Sequence, residues 1–222
     1  MGNSSETAAA SAGYDALRRH MVEAQLRARG VSDRRVLDAM QRVPRHIFAP
    51  EQYREQAYED HPLPIGEGQT ISQPYIVALM LEALALQPED RVLEVGTGSG
   101  YVTALLAEIV NQVFSIERHA ALADEARNLL AQLGYTNVKI STGDGSRGFA
   151  PCAPYDAILV SAAAREMPQA LLAQLAEGGR MIVPVGREDS QQLHFVRMES
   201  GQPKITLREL CRFVPLVAGE IP

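Results

Sequence analysis

The sequence predicts an α/β fold: a mainly parallel sheet with helices on both faces, extra helices in front of it and an antiparallel hairpin at its end. Three observations carry this prediction. Short apolar runs alternate with helical segments from residue 91 to residue 185. A glycine-rich turn, Gly96-Thr-Gly98-Ser-Gly100, stands where the first of those runs passes into a helix. Near the end, Gln192 to Met198 and Lys204 to Val214 alternate with period two around the turn residues Glu199-Ser-Gly201.

A chain of 222 residues suits one domain with a full core. Residues 1–13 are rich in Ser, Ala and Gly without periodicity, and predict a disordered leader. A single domain is expected over 14–222, divided into N-terminal helices and a lid (14–72) and the sheet-bearing core (73–222). Leu17, Met21, Ala24 and Ala28 recur at helical spacing until Gly30, which suits a C-terminal cap. Ser32 is the expected cap of a second helix carrying Val36, Leu37, Met40 and Val43, which Pro44 stops. Pro50, Pro62, Pro64, Gly66, Gly68 and Pro74 then exclude a long regular element from Ala49 to Gln73, apart from a turn of helix near Gln52 to Tyr58. A loop of that length inside a compact domain usually has a function. Ser72 precedes an apolar helix, Tyr75 to Leu86, that closes at Pro88.

Beyond Pro88 strands are expected at Arg91–Val95, Gln112–Glu117, Asn137–Ser141, Tyr155–Ser161 and Gly179–Val185. Helices are expected at Tyr101–Ile109, Ala120–Leu133 and Pro168–Leu175.

Composition excludes several classes of function. A net charge of −6 lacks the electrostatic footprint of a phosphate-backbone binder. The arginine-rich stretch from Asp15 to Pro50 is read as a solvated helical face, so no nucleic-acid partner is expected. Cys152 and Cys211 lie far apart without CxxC spacing, which points to no metal site and no disulfide framework. Apolar runs stop well short of a membrane span and no signal segment opens the chain. A cytoplasmic monomer with no membrane partner is the expectation.

The glycines allow a tight turn and let backbone N–H groups approach a ligand closely. A dinucleotide fingerprint would place the third Gly three positions after the second, where Tyr101 stands. The spacing Glu94-x-Gly96-x-Gly98-x-Gly100 instead resembles the first motif of the Rossmann-like S-adenosylmethionine-dependent methyltransferases. Glu117 closes the second strand of the series about twenty positions later, where a carboxylate can accept two ribose hydroxyls. Asp144-Gly145 follows the third strand, where Asp144 can accept an adenine N–H or can form an Asx-turn or helix cap.

The segment Leu63-Pro-Ile-Gly-Glu-Gly-Gln-Thr-Ile-Ser-Gln-Pro74 strongly resembles the protein-L-isoaspartate O-methyltransferase family. Val43-Pro-Arg45, Val92 to Gly100, Gly143-Asp-Gly145, Pro154-Tyr-Asp-Ala157, Glu177-Gly-Gly179, Pro184-Val-Gly186 and Phe213-Val-Pro-Leu216 resemble it in the same order. The resemblance implies S-adenosyl-L-methionine as cofactor and isoaspartyl-containing proteins as substrate. It implies methylation of the free α-carboxylate of an L-isoaspartyl residue, and collapse of the ester to a succinimide as the start of repair. It also implies a variant of the methyltransferase fold in which the last strands of the sheet exchange order. The family's active-site Ser maps onto Ser72, which can equally cap the following helix. Gln69 and Thr70 are implied to shape the pocket over the sulfonium; Ile65, Ile71 and Val214 are implied on the substrate side. His46 and His61 are read as structural.

Ser161-Ala-Ala-Ala-Arg165 stands where methyltransferases of adenine amino groups carry Asn/Asp-Pro-Pro-aromatic, which disfavours that class. Pro151-Cys152 precedes the fourth strand of the series, the wrong side for cytosine-C5 methylation, and Cys152 is read as a loop residue. Two alternatives remain: an RNA or small-molecule methyltransferase on the same fold, and a cofactor-binding protein without catalysis.

Overall fold

The computed structural model describes residues 13–187 and 190–219. The leader expected over residues 1–13 therefore lies outside the described residues, except Gly13, which already begins a helix. That helix, α1 (residues 13–20), runs on through a π-helical turn, Met21–Leu26, and a 3-10 turn, Arg27–Arg29, and Gly30 ends it at φ 98°. Met21, Val22 and Leu26 are buried, whereas Leu17 is exposed and Ala24 and Ala28 face solvent. The π turn inserts one residue, which rotates Ala24 and Ala28 off the expected apolar stripe.

Helix α2, Arg34–Arg42, is capped by Asp33 rather than Ser32: the Asp33 carboxylate accepts from Arg35 N at 2.8 Å. Ser32 donates through both its backbone N and its hydroxyl to Glu82, so its side chain is engaged elsewhere. Two 3-10 turns, Arg45–Phe48 and Glu51–Gln56, lead to a two-stranded ribbon of β1, Leu63–Pro64, and β2, Thr70–Ile71. Helix α3, Pro74–Leu84, begins at Gln73 without a side-chain cap from its own start. The capping role expected of Ser72 falls instead to Asp60, which accepts from Tyr75 N at 3.1 Å and from Gln73 Nε2 at 2.9 Å. A carboxylate there also complements the helix dipole.

The sheet follows in order: β3 Arg91–Val95, α4 Tyr101–Ile109, β4 Gln112–Glu117, α5 Ala120–Gln132, β5 Val138–Thr142, β6 Tyr155–Val160, α6 Gln169–Leu172, β7 Leu175–Arg187, β8 Ser190–Glu199 and β9 Gln202–Cys211. Its strand order is β5-β4-β3-β6-β7-β8-β9, parallel as far as β7 and antiparallel beyond. The last three strands lie in chain order, the counterpart here of the exchanged strand order that the family resemblance implies. Successive residues alternate between two cores. Val92, Val113, Ala157 and Ile182 pack on one face, and Leu93, Phe114, Ile158 and Val183 on the other.

Several boundaries differ from expectation. Helix α6 has four residues instead of eight, because Leu175 already pairs with Tyr155. The register then shifts, and Ala157 pairs with Arg180. Gly178, at φ 75°, lets the intervening residues bulge out. The antiparallel part holds two hairpins: β7 pairs β8 over eight positions, and β8 turns into β9 through Ser200 and Gly201, at φ 53° and 71°. Strand β9 stops at Cys211, so Val214 leaves the sheet. The tail instead runs parallel to the residues just after β6, with Ala163 N donating to Val214 O and Leu216 N donating to Ala163 O, both at 2.8 Å. Among the described residues no helix is long and apolar enough to cross a membrane.

Candidate active site

The chain travels from β3 outward to β4 and β5, then returns to place β6 on the other side of β3. Ligands of open α/β sheets bind at such a reversal, outside the carboxyl ends of the strands. A cleft lies there, holding about 790 Å³ of space with open solvent included. Its floor is Val95 to Ser99 from the end of β3, Ile116 to His119 from the end of β4, and Ser161 and Ala162 after β6. Its other wall is Gln69 to Ser72, from β2, together with Val214 to Val217 of the tail.

Gly96, at φ 94°, donates its N–H to Ile116 O and so folds the loop back onto the neighbouring strand. Gly98, at φ 53°, donates to Glu117 Oε2 at 2.9 Å. Left-handed backbone at two positions this close is what glycine supplies without steric cost. The third glycine serves another purpose: a Cβ at Gly100 would stand 3.2 Å from Ala126 Cβ, so Gly100 lets α4 approach α5 and does not line the cleft. Ile65 also lies off the cleft lining, its side chain covering Gly98 at 3.5 Å from where a Cβ would be.

Glu117 lines the cleft and is 5% exposed. One carboxylate oxygen accepts from Gly98 N and the other from His119 N, both at 2.9 Å. A carboxylate offers roughly four acceptor positions, so the two left over are available to hydroxyl donors in the cleft. Together with the glycine turn, this acceptor and the apolar Val95 and Ile116 fit a nucleoside.

Glu94, expected with the cofactor set, is instead wholly buried behind the loop and absent from the cleft lining. Its Oε2 accepts from Thr103 Oγ1 at 2.5 Å and Ser115 Oγ at 2.7 Å, and the Ser115 hydroxyl in turn meets Thr97 Oγ1 at 2.6 Å. Thr97 lines the cleft, so Glu94 braces the loop from beneath. Burial pushes the Glu94 carboxyl up to about 8, against the hydrogen bonds from Thr103 and Ser115 and with added repulsion from Glu117. Folding therefore takes up a proton between the ordinary value of 4.5 and about 8. Stability should fall as pH rises through that window and level off above it. Urea unfolding of Glu94→Gln, which stays uncharged, is expected to show a flatter stability profile from pH 5 to 8; profiles parallel to wild type would place the proton elsewhere.

Asp144 adopts the capping arrangement. Its Oδ1 accepts from Ser146 N and Oγ, and its Oδ2 accepts from Gly219 N at 3.0 Å. Burial would raise its pKa, but the hydrogen bonds from Ser146 and Gly219 and the charge of Arg147 outweigh it and hold the carboxyl below the usual range. Asp144 lines a hollow next to the main cleft, with Gly143, Phe149 and Gly219, while Gly145 lines the cleft itself.

Ser72 is half-buried, and its hydroxyl meets no hydrogen-bond partner among the described residues. It borders the main cleft and also a second hollow lined by Pro62, Gln73, Ile76 and the segment Leu210 to Val214. Thr70, Ser161 and Val214 are common to both. Of the residues expected at the site, Gln69, Thr70, Ile71, Ser72, Gly96, Gly98, Glu117, Gly145 and Val214 come together at the cleft. Sequence reasoning missed Ser161 and Ala162, whose position at the carboxyl end of β6 was the available signal, and Arg118 and His119, the neighbours of Glu117. His46, stacked on Tyr14, and His61, bonded to Glu59, line neither hollow. Among the described residues no cluster of His, Cys, Asp and Glu could hold a metal ion.

Comparison with known proteins agrees with this geometry. The family model described as protein-L-isoaspartate(D-aspartate) O-methyltransferase matches residues 17–221. A protein-L-isoaspartate O-methyltransferase of Koribacter versatilis is 55% identical over 208 residues, covering 94% of each chain. One of Methanoculleus marisnigri is 54% identical over 201 residues, covering 90% of this chain and 91% of its own. Among solved structures, a protein-L-isoaspartate O-methyltransferase superposes with a TM-score of 0.82 at 31% identity, over 92% of this chain and 67% of the other. A Plasmodium falciparum protein described as such an enzyme, in complex with S-adenosyl-L-homocysteine, gives a TM-score of 0.79 at 28% identity, over 92% and 98%. With a family match that spans nearly the whole chain and two curated relatives above half identity, this chain belongs to the protein-L-isoaspartate O-methyltransferase family.

Proposed function

We propose that the main cleft seats S-adenosyl-L-methionine, that the second hollow receives a damaged polypeptide, and that the chain methylates the free α-carboxylate of an L-isoaspartyl residue where the two hollows meet. The observation that carries this reading is their junction at Ser72, Thr70, Ser161 and Val214. A cofactor on one side and a peptide on the other can touch only there. When bound, S-adenosyl-L-methionine supplies an electrophilic methyl group on a sulfonium.

Glu117 accepts the ribose hydroxyls with the acceptor positions that Gly98 and His119 leave open. Gly96, Gly98 and Gly145 let backbone lie close to the nucleoside, and Gln69 and Thr70 close over the sulfonium. Asp144 takes the adenine amino group in this reading, through the acceptor position of Oδ2 that Gly219 N leaves open. Ser72 donates one hydrogen bond to the acceptor carboxylate and leaves the other oxygen free to attack. Ile71 and Val214 flank that carboxylate, and Ile65 acts indirectly by covering Gly98.

A carboxylate with a pKa near 4 is already ionised at neutral pH, so no general base is required. The chain's contribution is then mainly orientation, which can supply roughly 7–11 kcal/mol. Collapse of the ester to a succinimide makes the transfer the first step of repair. The substrates are damaged proteins at large, read by backbone and linkage, and the enzyme works as a cytoplasmic monomer without nucleic-acid partners.

The test is an isoaspartyl peptide with radiolabelled cofactor. A base-labile methyl ester is expected on that peptide and none on the matched aspartyl peptide. Equal labelling of both would remove the repair function, and labelling of RNA alone would favour the other class of substrate.

A further inference from the structure

Arg45 is the largest of the fully buried side chains, at 0% exposure. A guanidinium in that position is expensive, because desolvation costs several kcal/mol per ion unless charge and hydrogen bonds compensate. The compensation here is incomplete. Nε donates to Ala57 O at 2.7 Å and Nη2 donates to Ser72 O at 2.9 Å, while Nη1 is buried without a hydrogen-bond partner among the described residues. No carboxylate among the described residues forms an ion pair with it, although the charge of Asp60 reaches it, and the ring of Tyr101 lies beside it with Cζ 4.8 Å from the centroid. Tyr101 and Ser72 both line the cleft, and Arg45 sits directly behind them. Apolar packing would fill the space at lower cost, so the buried cation calls for a purpose that uses its charge or its fork of donors.

We propose that Arg45 is a positioning residue for the acceptor: it fixes the Ser72 backbone through the carbonyl, which aims the hydroxyl, and it places a buried positive charge behind the berth of the incoming carboxylate. This rests on Ser72 holding that carboxylate. The geometry supports both halves. No partner among the described residues holds the Ser72 hydroxyl, so the backbone that Arg45 grips sets where its Cβ stands and which rotamers carry the hydroxyl into the cleft. The charge offsets part of the carboxylate's desolvation, and Asp60 opposes its field without forming an ion pair with it. A neutral donor of the same shape would supply the first effect without the second.

The experiment combines variants with a change of substrate charge, in the full chain, with rates expressed per molecule able to bind S-adenosyl-L-homocysteine. R45Q is expected to lower kcat/KM for isoaspartyl peptide about tenfold with cofactor affinity within about twofold, and R45K to recover part of that loss. In an S72A background, R45Q is expected to cost about threefold, less than in wild type, because the group it aims is gone while the charge behind the carboxylate still acts. On the wild-type protein, the isoaspartyl peptide is expected to bind at least about tenfold tighter than its uncharged isoasparaginyl analogue. If R45Q costs the same factor with and without Ser72, Arg45 does not aim the hydroxyl; if the neutral peptide binds as tightly as the anion, its charge does not serve the carboxylate; both results together leave Arg45 only a rivet in the lid. S72A by itself judges the underlying reading: full activity there sinks the role of Ser72, whereas a loss in S72A with no coupling sinks the aiming role of Arg45 alone. Should R45Q and R45K both fail to fold, the comparison of the two peptides on wild type still decides.

Discussion

Glu117→Gln is expected to raise the dissociation constant for S-adenosyl-L-homocysteine by about a hundredfold, read by calorimetry. Glu117 gives one oxygen to Gly98 N and the other to His119 N, so its carboxylate acts at once as ligand acceptor and as the clamp on the glycine turn. Glutamine retains one acceptor oxygen and turns an amide N–H toward the second backbone donor, where two donors face each other. The ribose hydroxyls lose a charged acceptor in the same change. Hydrogen bonds to charged groups are worth roughly 1.5–3 kcal/mol each, and a hundredfold corresponds to about 2.7 kcal/mol, so losing one such bond with part of another suffices. A variant that keeps its melting temperature and binds within about threefold of wild type would remove Glu117 from the nucleoside site.

The parallel core was legible because strands buried on both faces read as unbroken apolar runs. Leu93 and Val92 serve different cores, yet both must be apolar. Elements that depend on remote partners were not legible. No local signal in the Ser72 segment announces that Asp60 will cap α3, and no spacing rule anticipates the π turn that redirects α1. The tail offered least: the alternation from Lys204 reads as strand through Val214, and only the tertiary bridge to Ala163 turns Val214 to Val217 toward the cleft.

Within the site, the acids were found by position but their depths were not. Glu94 and Glu117 share a sheet face, and one is sealed under the loop while the other opens into the cleft. A usable signal for the first was the polar trio it forms with Thr103 and Ser115, each an interruption in an otherwise apolar run. Arg45 shows the converse case, since one arginine among many in a basic stretch gives no sign that it alone is buried.

Ser72→Ala is expected to lower kcat by an order of magnitude or more while cofactor affinity changes by less than about twofold. Had the hydroxyl capped α3, the alanine variant would lose helix stability, typically about 1 kcal/mol, and the kinetic loss would be ambiguous. Asp60 carries that cap, so the hydroxyl can be removed without disturbing the start of the helix. The backbone of Ser72 stays where Arg45 holds it, through the carbonyl that alanine retains. What disappears is one donor at the junction of the two hollows, the place where orientation of an already ionised nucleophile decides the rate. Steady-state kinetics with isoaspartyl peptide, alongside thermal unfolding, separates the cases. Unchanged turnover with an unchanged melting temperature would leave Ser72 without a part in the reaction, and a lower melting temperature with unchanged turnover would return it to the helix.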